Sequence, residues 1–149
     1  MSFLIGRYEY TLDDKNRLGV PPKFRDALLK ENGAQLYLSC GLDACLYLFL
    51  PSQFEKLTEN DLAKFSMGNK EKERAFQRGF FSNTDSVELD SAGRILVPPY
   101  MRKHAALGGT VLVQGMGNRG EIWNPEKWNS YNKSKVAPTY PVAAKNLSL

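Results

Sequence analysis

The chain contains one segment twice. Residues 12–25 (LDDKNRLGVPPKFR) align without a gap with residues 89–102 (LDSAGRILVPPYMR), so the second copy follows the first at a distance of 77 positions. The matching positions include the Asp and the Arg of an Asp-x-x-x-Arg motif and a Val-Pro-Pro run. Because so many gap-free identities do not arise by chance, the sequence indicates an internal duplication, and the fold must contain two similar units.

Each motif is predicted to form a tight turn between two strands. Alternating apolar residues predict a strand over 4–12, with Leu4, Tyr8, Tyr10 and Leu12 on one face. Asn16 and Gly93 occupy the same turn position, and both residue types accept positive φ, so we predict that the turn requires it. The predicted turns are 13–16 and 90–93, and the flanking short strands are 17–20, 87–89 and 94–97.

A helix and a hairpin are predicted after each turn. Proline suits the first turn of a helix, so the Pro-Pro pair marks the helix start in both copies. The inward-facing residues are predicted to be Phe24, Leu28 and Leu29 in the first copy and Met101, Ala105 and Ala106 in the second. Hairpin strands are expected at 36–39, 46–50, 111–114 and 121–123, and further helices begin at Pro51 and Pro125.

The repeats divide the chain into four parts. We predict a first repeat over 1–64, a helical connector over 65–82, a second repeat over 83–132 and a tail over 133–149. The connector is expected to hold a helix from Asn69 to Phe81 that places Lys70, Arg74 and Arg78 in one row. The tail has two prolines and no periodicity, which favours a loose segment or one docked on a neighbour.

Composition argues against several classes of protein. The chain has 42% hydrophobic residues and a formal net charge of +4, which suits a folded domain with a weak preference for anionic partners. His104 is the only histidine, Cys40 and Cys45 are interpreted as small apolar side chains, and no nucleotide or hydrolase fingerprint occurs. We therefore expect neither an enzyme, nor a metal, nor a cofactor. No leader and no apolar run of membrane-spanning length occurs, so a cytoplasmic protein is expected.

Two copies of a small unit suggest a pseudo-dimer within one chain. About sixty residues of short strands and one short helix bury little core alone, so such units often pair with a twin. A fused pair has a pseudo-twofold axis, and duplex DNA is the commonest ligand with matching symmetry.

The motif resembles that of a known group of DNA-binding proteins. The pattern Leu-Asp-x-x-Gly/Asn-Arg-hydrophobic-x-Val-Pro, followed by a helix with Arg, is similar to that of AbrB-like regulators and MazE-type antitoxins. Three further features resemble the MraZ family in particular. They are the two copies in one chain, the aromatic residue that follows Pro51 and Pro125, and the start Met-x-Phe-x-Ile-Gly-x-Tyr. Asn16 departs from the glycine usual in that family, and we expect it to be tolerated because asparagine accepts positive φ.

The resemblance implies a fold and a function. The implied fold is α+β: a duplicated swapped-hairpin, AbrB-like β-barrel unit with pseudo-twofold symmetry and flanking helices. The implied function is that of a cytoplasmic, nucleoid-associated transcription factor. It would bind spaced direct repeats of double-stranded DNA in the promoter of the division and cell-wall gene cluster, as a ring-shaped homo-oligomer.

The candidate DNA-binding residues lie in the turns and on the helices that follow. Arg17 and Arg94 close the turns, and a guanidinium there could reach a phosphate or a guanine edge. Asp13 and Asp90 could bind turn N–H groups or pair with the arginine, and a purely structural Asp–Arg staple is the alternative. In the AbrB-like fold, basic residues near the helix start join the turn arginine, which adds Arg25, Arg102, Lys15, Lys23 and Lys103.

Two other functions remain as alternatives. An antitoxin-like protein would grip a protein partner with its tail, and a ring-forming protein would serve only as a structural interaction module. DNA binding with a sequence preference would separate the regulator from both.

Overall fold

The computed structural model describes residues 2–149. The architecture is α+β, with one six-stranded antiparallel sheet, a separate two-stranded ribbon and flanking helices. The strands are β1 (Arg7–Thr11), β2 (Arg17–Gly19), β3 (Gln35–Cys40), β4 (Leu46–Phe49), β5 (Thr84–Glu88), β6 (Arg94–Leu96), β7 (Thr110–Gly115) and β8 (Gly120–Trp123). The helices are α1 (Pro22–Lys30), α2 (Pro51–Glu55), α3 (Lys70–Ser82), α4 (Pro99–His104), α5 (Pro125–Tyr131) and α6 (Ala137–Asn146).

Each repeat gives its first strand to the other repeat. The six-stranded sheet has the order β1-β7-β8-β4-β3-β5, so β1 of the first repeat pairs with β7 of the second, and β5 of the second pairs with β3 of the first. The ribbon consists of β2 and β6, again one strand from each repeat. The strand order maps onto itself when the repeats are exchanged, as the predicted pseudo-twofold symmetry requires.

Backbone hydrogen bonds also join each turn to the other repeat. The N–H of Val20 donates to the carbonyl oxygen of Gly93 at 3.0 Å, and the N–H of Val97 donates to that of Asn16 at 3.1 Å. The core beneath the ribbon is shared as well, since Leu18, Ile95, Phe24 and Met101 are all buried in one cluster. Neither repeat therefore has a complete core or a complete set of strand partners of its own.

Most of the predicted elements are confirmed. The strand after the N-terminus has the predicted inward face, although its ladder begins at Arg7 and Leu4 forms an isolated bridge to Gly117. Helices α2 and α5 begin at the two predicted prolines, and Asn69 caps α3 by accepting from the N–H of Lys72. Strand β5 begins at Thr84, earlier than its polar sequence indicated, because pairing with β3 extends it.

Two local predictions are wrong, and the tail has a form that was not predicted. Leu29 is 70% exposed, and Ala27 takes its place beside Phe24 and Leu28, because positions three and four residues after Phe24 share its face of the helix. Ala106 is exposed with φ of 52°, because α4 ends at His104 and the chain reverses there. The tail is helical: α5 continues through a π-helical segment, Asn132–Val136, into α6.

Candidate nucleic-acid interface

The β2–β6 ribbon places the two turn arginines on one face. Arg17 lies opposite Leu96 in the ladder, and Arg94 lies opposite Gly19. Side chains alternate along a strand, so these four positions face away from Leu18 and Ile95, which are each 1% exposed beneath the ribbon. The buried pair fixes which face of the ribbon is outward, and the arginines occupy that face.

Each aspartate uses its two carboxylate oxygens for different tasks. In the first turn, Oδ1 of Asp13 accepts from the backbone N–H groups of Lys15 and Arg17 at 2.9 and 2.8 Å, whereas Oδ2 accepts from Nε of Arg17 at 2.8 Å. In the second turn, Oδ1 of Asp90 accepts from the N–H groups of Ala92 and Arg94, both at 2.9 Å, and Oδ2 accepts from Nε of Arg94 at 3.0 Å. The sequence left turn capping and arginine pairing as alternatives, and both occur together.

The predicted positive φ at the fourth turn position is confirmed. The φ angle is 64° at Asn16 and 76° at Gly93. Asparagine and glycine are the residues that adopt this left-handed conformation at least cost, which explains why the two copies differ here without differing in backbone shape.

One further ion pair joins the two motifs. Nη1 of Arg94 lies 3.5 Å from Oδ2 of Asp13, the same oxygen that accepts from Arg17. The sequence analysis missed this contact. Its only signal in the sequence is the equal spacing of the two motifs, which does not specify that the turns meet.

The turn hydrogen bonds shift the acidity of both aspartates. The backbone N–H of Arg17 lowers the pKa of Asp13, helped by the side chain of the same arginine. The backbone N–H of Arg94, followed by that of Ala92, lowers the pKa of Asp90. Each aspartate is therefore held in its charged form, which keeps it an acceptor for the guanidinium beside it.

The helix arginines brace the turns rather than extend freely. Nε of Arg25 donates to the carbonyl oxygen of Val20 at 3.1 Å, and Nε of Arg102 donates to that of Val97 at 3.2 Å. Arg25 also packs on the second turn, because a Cβ added to Gly93 would lie 2.7 Å from Nη1 of Arg25. Both arginines are half-buried.

The side chains of the predicted lysines are exposed and take no part in the Asp–Arg pairs. Lys15 lies in the first turn, Lys23 in the first turn of α1, and Lys103 near the end of α4. Among residues 2–149 none of the three forms a salt bridge. Lys70, Arg74 and Arg78 are exposed along α3, as the predicted row requires.

The outward face of the ribbon also carries an apolar residue that the sequence analysis missed. Leu96 is 60% exposed and lies on the same face as Arg17 and Arg94. The alternation Arg94-Ile95-Leu96 could have revealed it, since a buried Ile95 turns both neighbours outward. An exposed apolar side chain on the same face as two arginines suits contact with a sugar or a thymine methyl group.

A second polar cluster is buried away from the ribbon. Glu121 is 6% exposed and accepts from Nε1 of Trp123 at 3.0 Å and from Nη2 of Arg119 at the same distance. The Arg119 guanidinium carbon stands 4.3 Å from the centre of the Tyr47 ring. These groups satisfy each other, and the cluster fastens β8 to β4.

The remaining chemical candidates offer no reactive arrangement. Burial raises the pKa of Cys45 to about 12, which keeps its thiol protonated at neutral pH, and Cys40 is half-buried. His104 pairs through Nε2 with the carbonyl oxygen of Gly41 at 2.9 Å. Within the described part of the chain, no three His, Cys, Asp or Glu residues are grouped to hold a metal ion. Over the same residues, no helix has the length and apolar character needed to cross a bilayer.

Known proteins resemble this chain over nearly its whole length. A family model described as "MraZ protein, putative antitoxin-like" matches twice, over residues 3–79 and 80–145. A protein of Heliobacterium modesticaldum named "Transcriptional regulator MraZ" is 39% identical over 143 residues, which cover 96% of this chain and 95% of the relative. Proteins of the same name are 41% identical over 132 residues in Clostridium acetobutylicum, covering 89% of both chains, and 41% identical over 128 residues in Alkaliphilus oremlandii, covering 86% of this chain and 85% of the relative.

Proposed function

The chain belongs to the MraZ family, and from that premise we propose that it is a transcriptional regulator that binds double-stranded DNA through the outward face of the β2–β6 ribbon. One observation carries the proposal: the ribbon presents Arg17 and Arg94 on a single face, diagonally across from each other. Each arginine is fixed at Nε by its own aspartate, at 2.8 and 3.0 Å. A guanidinium tethered in this way turns its Nη groups toward a ligand, and in Arg94 one of them, Nη1, also lies 3.5 Å from Oδ2 of Asp13.

The geometry suits DNA because the arginines are aimed in advance. A long arginine side chain loses rotamer freedom when it binds, and a carboxylate that already holds Nε reduces this loss. A tethered guanidinium can donate two parallel hydrogen bonds to a guanine edge or to a phosphate. We assign this role to Arg17 and Arg94, and we assign turn shaping to Asp13, Asp90, Asn16 and Gly93.

The surrounding basic residues supply charge. The two Asp–Arg pairs are electrically neutral, so long-range attraction to phosphate must come from Lys15, Lys23, Lys103, Arg25 and Arg102. Arg25 and Arg102 have their Nε groups engaged with backbone carbonyls, so they contribute charge and turn support together. Such contacts give affinity, whereas contacts to base edges give specificity.

The resemblance to the MraZ family suggests the hairpin arrangement, the DNA target and the oligomeric state. We propose that the exchanged first strands are an AbrB-like swapped-hairpin arrangement. We further propose that the regulator acts on spaced direct repeats in the promoter of the division and cell-wall gene cluster, as a ring of several chains. Several weak modules in one ring bind tightly through avidity. The cellular place that follows is the cytoplasm, on the nucleoid.

The test is a mobility shift with DNA from upstream of the protein's own gene, in the presence of excess competitor DNA. Wild type is compared with Arg17→Ala/Arg94→Ala, and with Arg74→Ala/Arg78→Ala as a control that removes the same charge from α3. We expect selective binding by wild type and by the control, and its loss in the turn variant. Wild-type affinity is expected to fall by about 10³–10⁵ between 50 and 200 mM salt if a few modules together contact ~6–10 phosphates.

Each of the other results has a definite meaning. Selective binding that survives Arg17→Ala/Arg94→Ala would leave a DNA-binding regulator but make the Asp–Arg pairs structural staples. Absence of selective binding by wild type at every salt concentration would remove the promoter hypothesis. The antitoxin-like or ring-forming interaction module would then be the function to pursue.

A further inference from the structure

The two turn aspartates are equivalent in sequence but not in their contacts. Oδ2 of Asp13 lies 2.8 Å from Nε of Arg17 and 3.5 Å from Nη1 of Arg94, so it touches an arginine from each repeat. Oδ2 of Asp90 lies 3.0 Å from Nε of Arg94, and among residues 2–149 Asp90 forms no salt bridge with Arg17. One carboxylate therefore joins the two turns, whereas the other serves its own turn only.

We propose that Asp13 is a positioning residue shared by both repeats, which fixes the spacing between the Arg17 and Arg94 guanidinium groups and so sets the sequence selectivity of the ribbon. This inference rests on the proposed function. A base pair offers its hydrogen-bonding groups at fixed places in the groove, so two arginines held at one separation select among sequences better than two independent ones. Phosphates occur regularly along any duplex, and contacts to them depend less on that separation.

The two oxygens of Asp13 have different partners, so one substitution can remove the arginine contacts and leave the turn contacts in place. Oδ1 shapes the turn by accepting from the N–H groups of Lys15 and Arg17, and the carbonyl oxygen of an asparagine does the same in such turns. In Asp13→Asn the second position becomes an amide N–H₂ group, which cannot accept from either guanidinium. The variant therefore keeps the turn and loses both arginine contacts.

Asp14 provides the matched control. It is the neighbouring residue in the same turn, it is exposed, and within the described chain it makes no side-chain hydrogen bond or salt bridge. Asp14→Asn removes the same negative charge from the same surface without touching an arginine. Asp90→Asn is the second comparison, since it releases Arg94 from its own aspartate but leaves Asp13 in place.

The direction in which DNA affinity changes distinguishes a carboxylate that positions the arginines from one that only repels phosphate. A carboxylate that only repels phosphate, once neutralised, would strengthen binding to every DNA sequence by a similar factor. A carboxylate that positions the arginines, once neutralised, would strengthen binding to unrelated DNA and weaken binding to the operator, which is the DNA upstream of the protein's own gene that wild type binds selectively. The quantity to measure is the ratio of the two dissociation constants, for operator DNA and for a scrambled duplex of equal length at one salt concentration.

The experiment uses the full-length chain in four forms: wild type, Asp13→Asn, Asp14→Asn and Asp90→Asn. We expect the selectivity ratio to fall about tenfold in Asp13→Asn, to fall less in Asp90→Asn, and to stay unchanged in Asp14→Asn. In double-mutant cycles, Arg94→Ala should have a smaller effect on operator binding when Asp13 is already asparagine. Arg17→Ala should have the same effect whether residue 90 is aspartate or asparagine.

Three results would overturn the inference. If Asp13→Asn changes the selectivity ratio no more than Asp14→Asn does, the Asp13 carboxylate only repels DNA. If Asp13→Asn lowers the ratio by the same factor as Asp90→Asn, the contact between Asp13 and Arg94 makes no contribution to selectivity. Asp13→Asn that fails to fold, in thermal unfolding, while Asp90→Asn folds would make the contact a folding contact. A wild type without selectivity would instead overturn the proposed function itself, and that result is visible before any variant is measured.

Discussion

At the scale of single residues, the turns combine three constraints in five positions. The aspartate caps the turn, the fourth position supplies positive φ, and the arginine closes the turn while its side chain folds back onto the aspartate. Each constraint is local, so each copy satisfies it independently. Each turn also meets a neighbour from the other repeat, and the second turn meets Arg25 at Gly93.

Gly93→Ala tests the contact between Arg25 and the second turn. Alanine at a φ of 76° is strained by about 1–2 kcal/mol, and its Cβ would also force Arg25 away from the carbonyl oxygen of Val20, at about 1 kcal/mol more. The control is Gly109→Ala, where φ is 69° and no atom lies within 4 Å of the added Cβ. In urea unfolding, Gly93→Ala should be the less stable variant, and equal stabilities would mean that Arg25 moves without loss.

The aspartates predict a pH dependence. Their pKa values are lowered in the folded protein, first by the backbone N–H of the following arginine, relative to about 3.9 in an unfolded chain. Folding therefore gains stability above that value, and the gain is lost as the pH falls through the lower folded pKa. The urea midpoint of wild type should drop more steeply below about pH 4 than that of Asp13→Asn/Asp90→Asn. Parallel curves for the two proteins would contradict this.

At the scale of elements, the ribbon is a two-sided object built from very short strands. One face carries Leu18 and Ile95 into the core, and the other carries the two turn arginines and Leu96 outward. Two strands of three residues are not stable by themselves. The ribbon persists because its inner face is covered by Phe24 and Met101 of the helices that follow each strand.

Two adjacent residues of β6, Ile95 and Leu96, lie on opposite faces of the ribbon and test the assignment of those faces. Ile95→Ala should lower the free energy of unfolding by ~2–5 kcal/mol, because Ile95 is 1% exposed and its loss leaves a cavity. Leu96→Ala should change it by less than about 0.5 kcal/mol, because Leu96 is 60% exposed. Leu96→Ala should instead weaken DNA binding, measured with folded protein. A stability loss in Leu96→Ala similar to that in Ile95→Ala would contradict the assignment of faces.

At the scale of the whole molecule, duplication and exchange make the two repeats one folding unit. Every hydrogen-bonded ladder that includes β1, β2 or β5 crosses from one repeat to the other. Only the β3–β4 and β7–β8 hairpins pair within a repeat, and β4 and β8 then join the two hairpins at the centre of the sheet. The division into repeats 1–64 and 83–132, with a connector and a tail, stays a prediction about sequence units.

Separating the repeats should abolish the folded monomer. A fragment of residues 1–82 keeps β1 and β2 but lacks β7 and β6, their partners. We expect it to be unfolded or to pair with a second copy of itself, and we expect mixing with a fragment of residues 83–149 to restore the native pairing. Circular dichroism with light scattering measures both. A folded monomer of 1–82 would show that its strands find partners within the repeat.

The sequence alone determined the features that depend on near neighbours along the chain. The duplication, the positive φ at Asn16 and Gly93, the helix starts at Pro51 and Pro125 and the inward faces of the strands all follow from residue type and spacing. The tertiary structure decided the rest: which strand pairs with which, the contact of Asp13 with Arg94, and the helical form of the tail. The physical reason is that the two repeats are so similar that each strand could pair within its own repeat or with the other. Local patterns are equally satisfied in both cases, and only the packing of the whole chain selects one.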